Sequence, residues 1–525
     1  MAPAGLGQPG WWRGRVFYEV FVRSFADSDG DGIGDLAGLT AHLDALNDGD
    51  PATTTDLGVG GIWLMPIAES PSYHGYDVSD ERAVEPDYGT IDDLKALVTA
   101  AHERGIAVIS DLVLNHTSDE NPWFTDSLAG TGHEDWYIWS TTNPGYGGPD
   151  GQQVWHPAGK RFFYGLFGPG LPDLDLRNPA VTAEMEDVAR FWVEEVGFDG
   201  FRLDAIKHLV EDGQVQAHTP ETHAWLQAFR ATLHQTAPYA LLVGEVYDVS
   251  VAVARYVPED VDLAFDFERA QATIDSIRRA DGGPLNTALA EDQRLFGPDE
   301  TAGFLTNHDQ ARIASQLRED PAALRLAAGL LLTGTGTPFV YYGEEIGLTG
   351  EKPDEDIRTP LPWTGDGPAA GFSTTRAWEP LEPGWETRNV AAQATDPGSL
   401  LSTYRDLIRL RATQPSLADG ATVPLAASDP AVVAYLRVEP RSRTAVIANV
   451  ADHPVDAPRL DLDSGAASLC SGGARVVYRT GATDPADPAA LAAAAPVVDA
   501  AGVIHDWAPL TVLPPRSVTV IELGR

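Results

Sequence analysis

The stretch Gly197-Phe-Asp-Gly-Phe-Arg-Leu-Asp-Ala-Ile-Lys-His-Leu209 is a short apolar strand that ends abruptly on Arg202, Asp204, Lys207 and His208. An Arg–Asp pair at a strand end is by itself as well explained by a structural ion pair as by chemistry. The pattern recurs, however. Ala240 to Val246 is another apolar run that ends on Glu245, and Gly303-Phe-Leu-Thr-Asn-His-Asp309 ends on His308 and Asp309. Three acids at the ends of three strands point to one site on a parallel barrel, where active sites sit at the C-terminal ends of the strands.

Working outward, five further runs read as strands: Arg15 to Phe25, Leu57 to Ile67, Ile106 to Leu114, Val261 to Phe267 and Gly336 to Ile346. They alternate with helical segments such as Ile91 to Arg104, Val181 to Val196 and Ala322 to Thr333, and eight strands is the number an α/β barrel needs. The pattern breaks from Ser118 to about Pro179, where Trp123, Trp136, Trp139, Trp155, Phe163 and Tyr164 sit among Gly, Pro and Asn. This reads as a loop-rich insertion whose aromatics mostly form its own core. After a last helix over Ser399 to Thr413, the β runs Val432 to Val438, Thr444 to Asn449 and Ser517 to Leu523 predict a terminal antiparallel β-sandwich. The expected layout is a (β/α)8 TIM barrel in two parts, 1–116 and 180–417, with an inserted subdomain at 117–179 and a sandwich at 418–525. A long Pro-, Gly- and Trp-rich loop between Gly350 and Pro397 lies at the barrel mouth.

The composition narrows the partners. With 525 residues, 77 acids against 36 bases and a net charge of −41, the chain repels nucleic acid and anionic membrane. No apolar run approaches the roughly 20 residues of a membrane span. The single cysteine, Cys470, excludes an intrachain disulfide and a cysteine-based metal cluster. The start shows neither a basic nor an apolar signal region, so the expected location is cytoplasmic, or secreted with a signal removed. Behind the first strand, Asp27-Ser-Asp-Gly-Asp-Gly-Ile-Gly-Asp35 places oxygen ligands at alternate positions with glycines between them. Asp27, Asp29, Asp31, the Ile33 carbonyl and Asp35 suit a hard cation, calcium or else magnesium. It is not an EF-hand, because the twelfth position is Gly38 rather than a bidentate Glu. The other reading is an acidic, solvated loop.

Asp111-Leu-Val-Leu-Asn-His116, Gly200-Phe-Arg-Leu-Asp-Ala-Ile-Lys-His208, Gly244-Glu-Val246 and Phe304-Leu-Thr-Asn-His-Asp309 resemble the four signature segments of the α-amylase family of glycoside hydrolases, and Leu171-Pro-Asp-Leu-Asp175 resembles the fifth. The resemblance implies Asp204 as nucleophile, Glu245 as general acid/base and Asp309 as the acid that stabilises the transition state. It also implies that Arg202 keeps Asp204 ionised, that His116 and His308 bond the sugar under attack, and that Tyr76 stacks beneath it. Lys207 and His208 would bind on the leaving-group side. Any calcium would be structural, with a second site near Asn115 and Asp173 left open.

Specificity is finer. Where relatives that clip chain ends carry Asp-Asn before the Gly-Tyr turn, this chain has Tyr73-His74, which favours an open cleft, and Ala205 after the nucleophile resembles α-1,4 specificity. The calcium-type loop and Asn115 to Trp123 resemble the oligosaccharide-cleaving branch, so the chain resembles an intermediate group. The expected function is endo-acting hydrolysis of starch-type α-glucans and maltooligosaccharides. An exo-acting α-glucosidase, a trehalose- or sucrose-type transglycosylase, and a non-catalytic amylase-like domain are the alternatives.

Overall fold

The computed structural model describes residues 6–463, 473–480, 493–499 and 501–524; Cys470 and the Ala-rich stretch near Ala489 lie outside them. Eight parallel strands close into a barrel: β1 (Phe17–Val20), β2 (Gly61–Leu64), β3 (Ala107–Leu112), β4 (Gly200–Leu203), β5 (Leu241–Gly244), β6 (Leu263–Phe265), β7 (Thr301–Gly303) and β8 (Thr337–Tyr341). Each strand pairs with its neighbour in sequence, and β1 closes on β8 through Phe17 opposite Phe339.

Alternation along these short strands sorts two cores. Phe17, Trp63, Ile109, Leu241, Val243, Phe265 and Phe339 fill the barrel, while Tyr18, Ile62, Val108, Phe201, Leu203 and Leu242 face the helices. Gly61 makes room inside, since a Cβ there would lie 2.4 Å from the Phe17 ring. The helices begin and end where local chemistry requires. Thr90 and Asp93 form a reciprocal capping box on Ile91–Glu103, and Gly105 follows with φ +78°.

Two expectations are corrected. The seventh strand ends at Gly303 rather than running to Asp309, because its pairing with β6 and β8 is completed by Thr301 to Gly303. His308 and Asp309 therefore stand on the loop beyond it. The insertion between β3 and β4 is more regular than its sequence suggests: a helix at Pro122–Ala129 and a three-stranded sheet of Trp139–Ser140, Arg161–Tyr164 and Trp155–Ala158. Aromatic packing builds it, with Phe124 edge-on to both Tyr137 and Phe163 at 5.0 Å.

Beyond the helix Leu400–Thr413, a five-stranded antiparallel sheet runs in the order Ala421–Pro424, Val432–Glu439, Ser442–Asn449, Ser517–Leu523 and Ala474–Arg479. A three-stranded sheet, Ala426–Ala427, Leu460–Leu462 and Ile504–Trp507, accompanies it. The larger sheet docks on the buried helix Pro321–Thr333, where Gly329 admits Val518 and Thr333 bonds the Tyr435 hydroxyl at 2.8 Å.

Candidate active site

Strand parity delivers the polar side chains. Since Phe17, Ile109 and Val243 point inward, so must Glu19, Asp111 and Glu245 two residues later, and Arg202 and Asp204 alternate with the outward Phe201 and Leu203. Loops complete the constellation: Tyr76 follows β2, His308 and Asp309 follow β7, and Arg358 follows β8.

Arg202 is the hub, and it is 1% exposed. One amino group lies 2.7 Å from Asp204 and 2.5 Å from Asp111; the other lies 2.8 Å from Glu245. Glu245 also accepts the Ala205 N–H at 2.9 Å. Ala205 holds a left-handed φ of +47°, a strained conformation for a residue with a side chain. It turns the chain sharply behind Asp204.

Burial outweighs the guanidinium for both acids. Glu245 is pushed up to about 7 by burial, opposed by Arg202 and reinforced by Asp204 and Asp309. Asp204 is pushed up to about 6 by burial, again opposed by Arg202. One cation is thus shared among three carboxylates, and both Asp204 and Glu245 are left raised, with Glu245 the higher. Asp309 behaves differently. Burial would raise it, but His308, Arg358 and Arg202 together hold it below its ordinary value. Arg358 reaches it at 3.1 Å and His308 Nε2 at 3.3 Å.

Tyr76 lies parallel to His308 at 5.5 Å, and its hydroxyl meets His308 Nε2 at 2.6 Å. His116 is 2% exposed, its Nε2 has no protein partner, and burial lowers it to about 4, so the ring is neutral. Lys207 and His208 stand apart from the acids. Lys207 binds the Tyr247 carbonyl at 2.6 Å and Asp248 at 3.3 Å, and His208 Nδ1 meets the Gln216 carbonyl at 2.6 Å. Phe167, 46% exposed, packs against both His116 and His208 and links the two groups.

Sequence reasoning assigned no role to Glu19, Asp111 or Arg358. Asp111 and Glu19 were within reach of the parity argument, each two residues beyond an inward apolar side chain. Arg358 carried no comparable signal, because the long loop fixes no register.

In the acidic loop, oxygens of Asp27, Asp29 and Asp35 lie within 4.8 Å of one another, an all-carboxylate set that fits a hard divalent cation. Asp31 is not among them; its carboxylate accepts the Ile33 N–H at 2.7 Å. The backbone shapes the cradle, since Asp27 accepts N–H bonds from Gly30 and Gly32, and Asp35 caps the next helix through Gly38. At the second position considered, Asn115 donates to Asp173 at 3.0 Å, so these two groups satisfy each other.

A family profile described as "Alpha amylase, catalytic domain" matches residues 19–420. Alpha-amylase 3 of Dictyoglomus thermophilum is 37% identical over 82% of this chain and 83% of its own length. The trehalose synthase/amylase TreS of Mycolicibacterium smegmatis is 34% identical over 81% of this chain and 80% of its own. Among solved structures, the alpha-amylase from H. orenii superposes with a TM-score of 0.82 at 37% identity, covering 97% of this chain and 99% of that one. The chain belongs to the α-amylase family, whose members among its relatives hydrolyse or transfer glycosidic bonds.

Proposed function

We propose that the protein is a retaining glycoside hydrolase that cuts α-1,4 bonds inside starch-type glucans and maltooligosaccharides. The observation that carries this reading is the Arg202 clamp, which sets the buried Asp204 and the half-buried Glu245 side by side, with Glu245 raised to about 7. Near neutral pH, one is ionised and the other protonated. The Asp204 carboxylate attacks the anomeric carbon while Glu245 gives its proton to the departing glycosidic oxygen, leaving a covalent glycosyl ester. Glu245, now ionised, takes a proton from water as the water attacks that carbon, and Asp204 departs as carboxylate. Asp309, held ionised, takes the ring hydroxyls and favours the oxocarbenium-like transition state, with His116 and His308 as further hydroxyl partners and Tyr76 as the platform.

Lys207, His208 and the exposed Phe167 and Tyr247 would receive the leaving-group side. Calcium held by Asp27, Asp29 and Asp35 would stiffen the loop behind β1 without entering the chemistry.

Internal cutting is supported by the turn after β2. Tyr73 stacks on Trp378 at 5.5 Å, and Asp77, the carboxylate of that turn, is taken up by the Ser70 and Ser72 hydroxyls, which leaves it a poor captor of a chain end. One observation favours an exo-acting reading: the loop after β8 brings Asp354 beside Arg358, close to Asp309. Asp354 is already paired with Lys352 and Arg358, however, which leaves it a poor captor of a terminal glucose.

The test is a product time course on starch, maltoheptaose, maltose, sucrose and trehalose. Early maltose and maltotriose from maltoheptaose support the reading. Glucose alone from the first minutes overturns internal cutting, and isomerised disaccharides without net hydrolysis overturn hydrolysis.

A further inference from the structure

Beneath the proposed sugar pocket, Glu19 and His308 are 2% and 0% exposed, and Glu19 Oε1 lies 2.6 Å from His308 Nδ1. From His308 Nε2 the chain of contacts continues to the Tyr76 hydroxyl at 2.6 Å and to Asp309 at 3.3 Å. The Tyr76 hydroxyl meets Asp111 at 3.2 Å and receives an Arg202 N–H at 3.4 Å. Asp111 also accepts from Trp63 and from Arg202. We propose that Glu19 is a positioning residue that stays protonated and donates to Nδ1 of His308, fixing the ring as the neutral tautomer whose Nε2–H faces Tyr76, Asp309 and the sugar. This rests on the reading that His308 serves the ring under attack.

The number of protons available to these contacts separates the possible states. With Glu19 as donor, Nδ1 accepts, Nε2–H is shared between the Tyr76 oxygen at 2.6 Å and Asp309 at 3.3 Å, and the Tyr76 hydroxyl donates to Asp111, so no gap lacks a proton. With Glu19 ionised and the proton on Nδ1, Nε2 must accept from Tyr76. The Tyr76 oxygen then faces the Asp111 oxygen, and Nε2 faces the Asp309 oxygen, with no proton in either gap. Opposed acceptors are unfavourable, most of all at Asp111, whose side chain is 0% exposed, and the ring could give nothing to a sugar hydroxyl.

An ion pair, with carboxylate and imidazolium, would meet the count but not the surroundings. Burial holds Glu19 well above its ordinary range, opposed by Arg202 and reinforced by Asp111 and Asp309. Burial lowers His308 to about 3, opposed by Asp309 and reinforced by Arg358, Arg202 and Lys352. Both partners favour the neutral form. The His308 backbone N–H also reaches Glu19 and pulls it the other way, but it does not offset the burial. A side chain two steps from the sugar would thereby decide which nitrogen carries the proton.

The test uses the full chain labelled with ¹⁵N-histidine, with His308→Gln to assign the signal. The expected spectrum has Nε2 protonated and Nδ1 bare across the pH range of activity, together with a protonated-carboxyl infrared band that disappears in Glu19→Gln. An Nδ1–H ring or an imidazolium overturns the inference. Glu19→Leu, which removes the donor, is expected to lose about tenfold to hundredfold in kcat with little change in KM, on the scale of outer-shell partners of metal-bound histidines. Glu19→Gln, which keeps an amide N–H for Nδ1, is expected to stay within a few-fold of wild type. Wild-type kcat in a folded Glu19→Leu overturns the positioning role; if that variant does not fold, the wild-type spectrum decides. The spectrum is read without turnover, so its failure is separate from failure of the proposed hydrolysis.

Discussion

Asp204 and Glu245 hang on the two amino groups of one guanidinium, so the division of labour between them rests on a small difference in environment. Replacing Asp204 by Asn or Glu245 by Gln keeps the shape and removes a group that the proposed mechanism uses only in bond making or breaking. Each is expected to lower kcat at least ~10³-fold with the melting temperature unchanged, measured on maltoheptaose with matched thermal scans. The values of about 6 and about 7 also set the pH profile. Activity should fall below pH 6 as Asp204 gains a proton and above pH 7 as Glu245 loses its own. The pair titrates as a unit, so the limbs belong to the dyad. A kcat/KM profile that is flat from pH 5 to 9 would contradict this. Asp204 and Glu245 were legible in the sequence as carboxylates at strand ends, whereas Asp309, read as a third, stands on the loop beyond β7. The sharing of Arg202 was not legible, since a two-residue spacing shows that Arg202 and Asp204 face the same way but not that Glu245, 43 residues on, reaches the same cation.

Among the elements, the strands were legible where apolar alternation was strong, and their ends were not, because pairing with both neighbours decides where a barrel strand stops. The seventh strand illustrates it: Phe304 continues the apolar pattern after the ladder has ended at Gly303. The insertion hid its sheet because aromatic packing, not periodicity, holds it. In the loop after β1, three carboxylates lie close enough to repel unless a cation joins them. Chelation is therefore expected to lower the melting temperature more than it slows catalysis. A ligand at a hundredfold excess over its Kd stabilises by about 2.7 kcal/mol. Thermal scans in chelator and in calcium check this, and identical transitions with no bound divalent ion would leave a merely solvated loop.

Among the described residues, more acids than arginines are buried. Glu344 and Glu345 are pushed up by burial to about 8 and about 7 from an ordinary 4.5. The folded state then holds protons that the unfolded chain releases, so stability is full below about pH 4.5 and falls as pH rises through 7 and 8. Self-repulsion at a net charge of −41 acts in the same direction. The melting temperature at constant ionic strength is expected to be higher at pH 6 than at pH 9, and the reverse order would contradict the burial of these groups.

The barrel, the insertion and the terminal sheets were all foreseeable from strand count and spacing, whereas the reach of the loop after β8 into the site was not, since its 48 or so residues carry no period that fixes where Arg358 and Trp378 land. The proposed reaction is double displacement within a chain, and ¹H NMR of maltoheptaose during the first turnovers reads both parts at once. The expected result is maltose and maltotriose appearing first with the new reducing end in the α configuration; β-configured products, or glucose as the only early product, would contradict it.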